Sequence, residues 1–191
     1  KNASANSHTE AHRAGRDTTL AIEESRDAVG RLVGYDPERD VVLFTSNGAT
    51  GATNFLARAL FPPELRLLLK RYPGGVPEKV LSTVKDLVGL RGSRLVDKLL
   101  ERPKIVTTEM EHHSNLVPWQ ISAKRTGATL KYIPLNDDLE LDITNLKNYF
   151  TPNTKLFAVI HKSNSLGKIN PVQQLVKYAK TVGAITVVDG A

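Results

Sequence analysis

The chain has 191 residues, 40% hydrophobic and 24% charged, which suits a globular protein of one domain, or one domain with an insertion. It contains no cysteine. That excludes disulfides, thiolate-ligated zinc and a thiol nucleophile from this stretch, and fits a reducing, intracellular setting better than a secreted one. No apolar run approaches the length that spans a bilayer, the polar start "KNASANSHTEAHRAG" lacks a signal-peptide core, and a membrane partner is not expected.

In chain order, residues 17–34 read as an amphipathic helix. Leu20, Ile22, Ala28, Leu32 and Val33 recur at roughly helical spacing and Gly34 is a stop. The β-branched run "DVVLFT" (40–45) predicts a buried strand, and the Gly/Thr turn and helical "FLARAL" after it complete a βα unit. Residues 61–103 break the style. Two prolines and "YPGGVP" punctuate Leu/Val/Lys/Arg runs, which predicts two short helices inserted into the main fold. Strand–helix alternation then resumes. Strands are expected at 104–110, 129–135, 155–163 and 184–190, and helices at 114–127, 142–150 (begun by Asp142) and 171–182 (opened by Pro171). The alternation predicts an α/β fold, three-layered α/β/α, with a mostly parallel sheet.

The net charge is +6. Residues 64–104 hold ten Lys or Arg against five Asp or Glu, so the excess is concentrated there. That stretch has one aromatic, Tyr72, and matches no nucleic-acid module, so a solvated basic face is the default over a nucleic-acid partner.

Ligands of parallel sheets sit at the carboxyl ends of the strands, and four expected strand ends carry distinctive residues. "SNGATGATN" (46–54) opens a helix with two glycines, which suits a phosphate; the same letters also make a plain turn with a Thr or Asn cap. "EHHSN" (111–115) holds two of the five histidines. "HKSNSLG" (161–167) offers Asn164 either to a ligand oxygen or to an Asx-turn. Asp189 ends an apolar strand, where a carboxylate needs a cation or a capping role. His8 and His12 are four apart, but the order is not HExxH and no third ligand is evident, so no metal site is expected.

Taken together, "HxxxH", "FTSNGATGATN", "EHHSNLVPWQ", "HKSNSLGKINP" and "VVDGA" resemble the class V, fold-type I pyridoxal-phosphate enzymes, and within them the cysteine desulfurase and selenocysteine lyase branch. "EHHSNLVPWQ" is the most specific block. The resemblance implies that residues 1–191 are a partial cofactor-binding large domain with a helical basic insertion at 61–103. It also implies pyridoxal phosphate as cofactor, a small amino acid as substrate and a homodimer.

By the same resemblance the cofactor phosphate rests on Gly48, Ala49 and Thr50. His112 stacks on the ring and assists proton transfer, Asn164 reaches the ring hydroxyl, and Asp189 pairs with the ring nitrogen. The family often has a second hydroxyl residue at the place of Ala49, and an Arg at the place of Thr9. His113 is left a packing or capping role beside Ser114, read as the helix N-cap, and Trp119 a place in the core or a subunit interface. The family's Schiff-base lysine follows the "VDGA" block. Lys162 and Lys168 lie in the wrong block, so the chain is expected to be part of a longer enzyme and inactive alone. Two alternatives stay open: another class V lyase or aminotransferase, and a non-enzymatic remnant that binds a partner through the basic insertion.

Overall fold

Apolar runs too short for helices, set between amphipathic segments, build the centre of this protein. In a computed structural model, residues 13–62, 67, 70–72, 76–87 and 103–191 are described. The chain divides into two compact units, Lys1–Ser46 and Asn47–Ala191.

In the first unit, α1 spans Arg13–Val33 and stops at Gly34, whose φ of +70° favours glycine. Tyr35 folds back along the helix. Its N–H donates to Gly30 O and its hydroxyl to Asp27, and its ring occupies the space a Cβ on Gly30 would need. The expected apolar face is not buried, with Leu20, Leu32 and Val33 all exposed. The strand expected over 40–45 does not form either. Residues 41–45 have no regular structure, and Val41, Leu43 and Phe44 are 75%, 55% and 54% exposed. A strand exists only when its backbone finds a partner, and the described part of this unit is a helix and a turn.

Among its described residues the second unit carries four strands: β1 (Lys104–Thr108), β2 (Thr129–Ile133), β3 (Thr154–Ile160) and β4 (Ile185–Asp189). All pair in parallel, in the order β2-β1-β3-β4. Helices α2 (Gly48–Leu60), α3 (Glu78–Leu87), α4 (His113–Thr126) and α5 (Val172–Thr181) accompany them.

Alternation along the strands divides the core between two faces, as a strand's period of two requires. Ile105, Leu156 and Ala158 point to one side, where Ala57 and Phe61 of α2 and Trp119 and Ala123 of α4 cover them. Val106, Phe157 and Val159 point to the other, against Leu175 and Ala179 of α5. Helices on both faces of a parallel sheet give the three layers expected. Every residue of β3 is buried, the mark of a strand covered on both sides.

Two expectations need correction or restriction. The helix expected at 142–150 shrinks to one 3-10 turn, Leu146–Asn148. Asp142 accepts from the N–H and the hydroxyl of Thr144 as a cap would, but the only helical turn that follows is the one at Leu146–Asn148. Within 61–103, α3 is a helix as expected, while much of that stretch, like His8 and His12, lies outside the described residues. Among the described residues no helix is long and apolar enough to cross a membrane.

Candidate functional site

The sheet order places a switch point between β1 and β3. From there β1 connects outward to β2 and β3 outward to β4, and such crevices receive ligands at the strand carboxyl ends. The loops that leave β1, β3 and β4 at this edge carry His112, Asn164 and Asp189.

His112 is the N-cap of α4. Its backbone is extended, and its Nδ1 accepts from the N–H of Ser114 at 3.2 Å. The expected division of labour is thereby altered: the cap is His112 and not Ser114, because the ring nitrogen reaches the second amide of the helix. A backbone N–H can only donate, so Nδ1 is the acceptor and a neutral His112 carries its proton on Nε2. The ring itself is exposed. His113, also exposed, opens the helix, with its ring edge-on to that of His112 at a centroid separation of 5.9 Å.

Ser114 joins two of the loops. Its buried hydroxyl lies 2.8 Å from His112 Nδ1 and 3.4 Å from Asp189 Oδ2, and its one proton is within reach of both acceptors. Asp189 ends β4 opposite Ile160. It is buried, and its other oxygen accepts from the N–H of Ala191. Near this carboxylate stand a hydroxyl and an amide and, among the described residues, no cation.

The turn before α2 departs from the plain capped turn. Asn47 and Gly48 both adopt positive φ, 62° and 57°, and Asn47 makes no side-chain cap bond. The first helical amide bond is that of Gly51 to Asn47 O, which leaves the N–H groups of Gly48, Ala49 and Thr50 directed outward at the positive end of the helix. A Cβ on Gly48 would meet nothing within 4 Å, so the approach is open. Ala49 offers no hydroxyl, and the Thr50 hydroxyl has no partner among the described residues.

Asn164 is exposed and does not build the turn after β3. That turn belongs to Ser163, whose hydroxyl accepts from Leu166 N–H and whose carbonyl accepts from Gly167 N–H. Among the described residues the Asn164 amide has no partner, which leaves it open to a ligand.

Sequence reasoning passes over Glu111 and Asn115. The Glu111 carboxylate accepts three hydrogen bonds: from the Thr108 hydroxyl at 2.6 Å, from Ile160 N–H at 3.0 Å and from Asn115 Nδ2 at 2.7 Å. The available signal is the one that singles out Asp189, an acid directly after an apolar strand. The side-by-side histidines obscure it.

Burial pushes the Glu111 carboxyl up to about 7, aided by the nearby Asp189 charge and opposed by its three hydrogen bonds. A carboxyl raised on folding is penalised where it must ionise. Its contribution is therefore fully present below about 4.5 and is lost as pH rises toward 7. The complete protein is expected to lose on the order of 3 kcal/mol of stability across that interval. Glu111→Gln should flatten the slope in urea unfolding at several pH values, and an unchanged slope would assign it to other groups.

The site is an open rim. A cavity of about 550 Å³ lies to its side, lined among others by Asn136, Glu140, Asp142, Thr144 and Lys168. It includes none of His112, Asn164 or Asp189. Among the described residues no group of His, Asp and Glu is placed to hold a metal ion.

Comparison with known proteins gives this arrangement a context. The family model described as Aminotransferase class-V matches residues 1–69 and 92–191. A cysteine desulfurase of Haloferax volcanii is 33% identical over 97% of this chain and 35% of its own length. A probable cysteine desulfurase of Halalkalibacterium halodurans is 50% identical over 58% of this chain and 30% of its own. Among solved structures, the apo cysteine desulfurase of Thermococcus onnurineus NA1 is similar, with a TM-score of 0.65 and 34% identity, covering 94% of this chain and 35% of that one. The chain spans about a third of the length of these relatives.

Proposed function

Because this chain belongs to the class V aminotransferase family, we propose that the complete protein is a pyridoxal-phosphate enzyme of the cysteine desulfurase kind. Its substrate is then a small sulfur or selenium amino acid, and the second unit supplies one wall of the cofactor seat. The single observation that carries this reading is the Ser114 hydroxyl shared between His112 and Asp189. It joins the loops after β1 and β4 at the ligand-binding edge of the sheet.

The residues fit the group. The uncapped start of α2 suits a phosphate: the N–H groups of Gly48, Ala49 and Thr50 hold it, and the Thr50 hydroxyl adds a donor. Asp189, buried with a hydroxyl and an amide as its partners among the described residues, suits a protonated ring nitrogen and keeps a proton there by charge. The free amide of Asn164 suits a ring oxygen. When bound, pyridoxal phosphate supplies an electron-withdrawing ring that stabilises negative charge on a substrate carbon.

His112 covers the ring with its exposed imidazole and, with Nδ1 engaged by Ser114, presents Nε2–H to the substrate side. Ser114 steadies both His112 and Asp189: its N–H donates to His112 Nδ1, which leaves the hydroxyl proton for Asp189. A homodimer belongs to the same reading, and so does the insertion at 61–103. The family model passes over residues 70–91, which supports a segment added to the common fold.

Purified complete protein given pyridoxal phosphate is expected to show a visible absorption band and to release sulfide from cysteine in the presence of a thiol reductant. A protein that remains colourless with added cofactor overturns the cofactor assignment. A coloured protein that leaves cysteine intact but processes another amino acid overturns the substrate alone.

A further inference from the structure

We propose that Glu111 is a positioning residue: its carboxylate spans the crevice between β1 and β3 and fixes the turn that presents His112 beside Asp189. The proposal rests on the reading of His112 and Asp189 as ligand-facing groups given above.

The geometry begins with a backbone problem. The β1–β3 ladder has its last paired residues at Val106 and Phe157, and β1 ends at Thr108 while β3 continues to Ile160. The N–H of Ile160 is thereby left without a strand acceptor, and a buried orphan amide is costly. Glu111 Oε1 takes that bond and also the Thr108 hydroxyl. One oxygen thus ties the end of β1 to the end of β3.

The second oxygen ties the same point to α4. Oε2 accepts from Asn115 Nδ2, and Asn115 Oδ1 accepts from the indole N–H of Trp119. Since an indole N–H can only donate, the Asn115 amide is fixed in one orientation and must present its NH₂ to Glu111. The order is therefore determined from the core outward: Trp119, Asn115, Glu111, then Ile160 and Thr108.

His112 lies inside this clamp. It follows Glu111 directly and precedes Asn115 by three, and its carbonyl accepts from Asn115 N–H. Ile160, held by Glu111, is the register partner of Asp189. The clamp therefore fixes the neighbours of both ligand-facing groups while its own carboxylate stays behind them. Every donor around Glu111 requires an acceptor. Glutamine in its place would set its NH₂ against that of Asn115, or against the N–H of Ile160.

The test uses the complete protein. In the cofactor-free wild type, at a pH where His112 is neutral, the two ring nitrogens are expected to give separate NMR signals, one protonated (Nε2) and one bare (Nδ1). Glu111→Ala and Glu111→Gln should move both toward a common average as the cap loosens and the tautomers interchange. Glu111→Gln keeps the side-chain volume, so the measurement stands even if the alanine variant does not fold. Both variants should also bind pyridoxal phosphate roughly tenfold more weakly, by analogy with the cost of losing an outer partner that orients a metal-binding side chain. Well-separated wild-type-like signals in a folded variant overturn the proposal, whatever the cofactor does. A wild type that takes up no cofactor defeats the functional reading instead, and the tautomer result still decides the role of Glu111.

Discussion

Asp189→Asn is expected to lower kcat/KM of the complete protein by two to three orders of magnitude while leaving its fold intact. The size follows from charge. A buried carboxylate paired with a ring cation is a desolvated ion pair, and removing one partner costs about 3–5 kcal/mol, with each factor of ten in rate worth about 1.4 kcal/mol. Retention of the fold follows from shape. Asparagine keeps an oxygen for the Ala191 N–H and can donate its NH₂ to the Ser114 hydroxyl, which then gives its own proton to His112 Nδ1. The two bonds that the Asp189 side chain makes in this structure therefore survive the exchange, and only the charge is lost.

The split between kcat and KM is informative. Charge on the ring nitrogen matters most where negative charge develops on the substrate, so the loss should fall chiefly on kcat. A variant with wild-type kcat would show that Asp189 serves only to hold the loop after β4.

Much of this site is legible in the sequence because strand ends are legible. The runs ending at Thr108, Ile160 and Asp189 are apolar and β-branched, and unusual polar residues stand at or just after each end. Periodicity alone therefore puts His112, Asn164 and Asp189 on one edge of the sheet. What periodicity misses is anything that depends on a partner distant in sequence. The run 40–45 has strand composition, yet its side chains stand largely exposed without a ladder. Asp142 has the right letter to start a helix and makes a cap-like bond to Thr144, yet only one 3-10 turn follows.

Glu111 illustrates the same limit at the site itself. Its meaning depends on Ile160, 49 residues away, and no local pattern relates them. Ser114 has the letter of an N-cap, and the cap is nevertheless His112. The difference is the reach of a ring nitrogen two atoms beyond Cβ, which composition does not reveal.

Trp119→Ala is expected to destabilise the complete protein by about 3–5 kcal/mol, the range for emptying an aromatic site in a packed core. Trp119 is fully buried, which decides between core and subunit interface in favour of the core. It packs edge-on against Phe61 at 6.4 Å, in the cluster that fastens α2 and α4 to the sheet. Those two helices carry the turn proposed to hold a phosphate and the His112 cap at their N-termini, so the cavity opens beneath the proposed site.

Trp119→Phe separates packing from polarity. It retains most of the buried ring but leaves Asn115 Oδ1 without its donor, for a cost of about 1–3 kcal/mol. With that donor gone the Asn115 amide is held by Glu111 alone, and the chain of bonds from the core to Glu111 loses its anchor. Trp119→Phe should therefore weaken cofactor binding out of proportion to its modest loss of stability, while a purely structural tryptophan would weaken the two together. Urea unfolding and cofactor titration on the same two variants measure that difference directly.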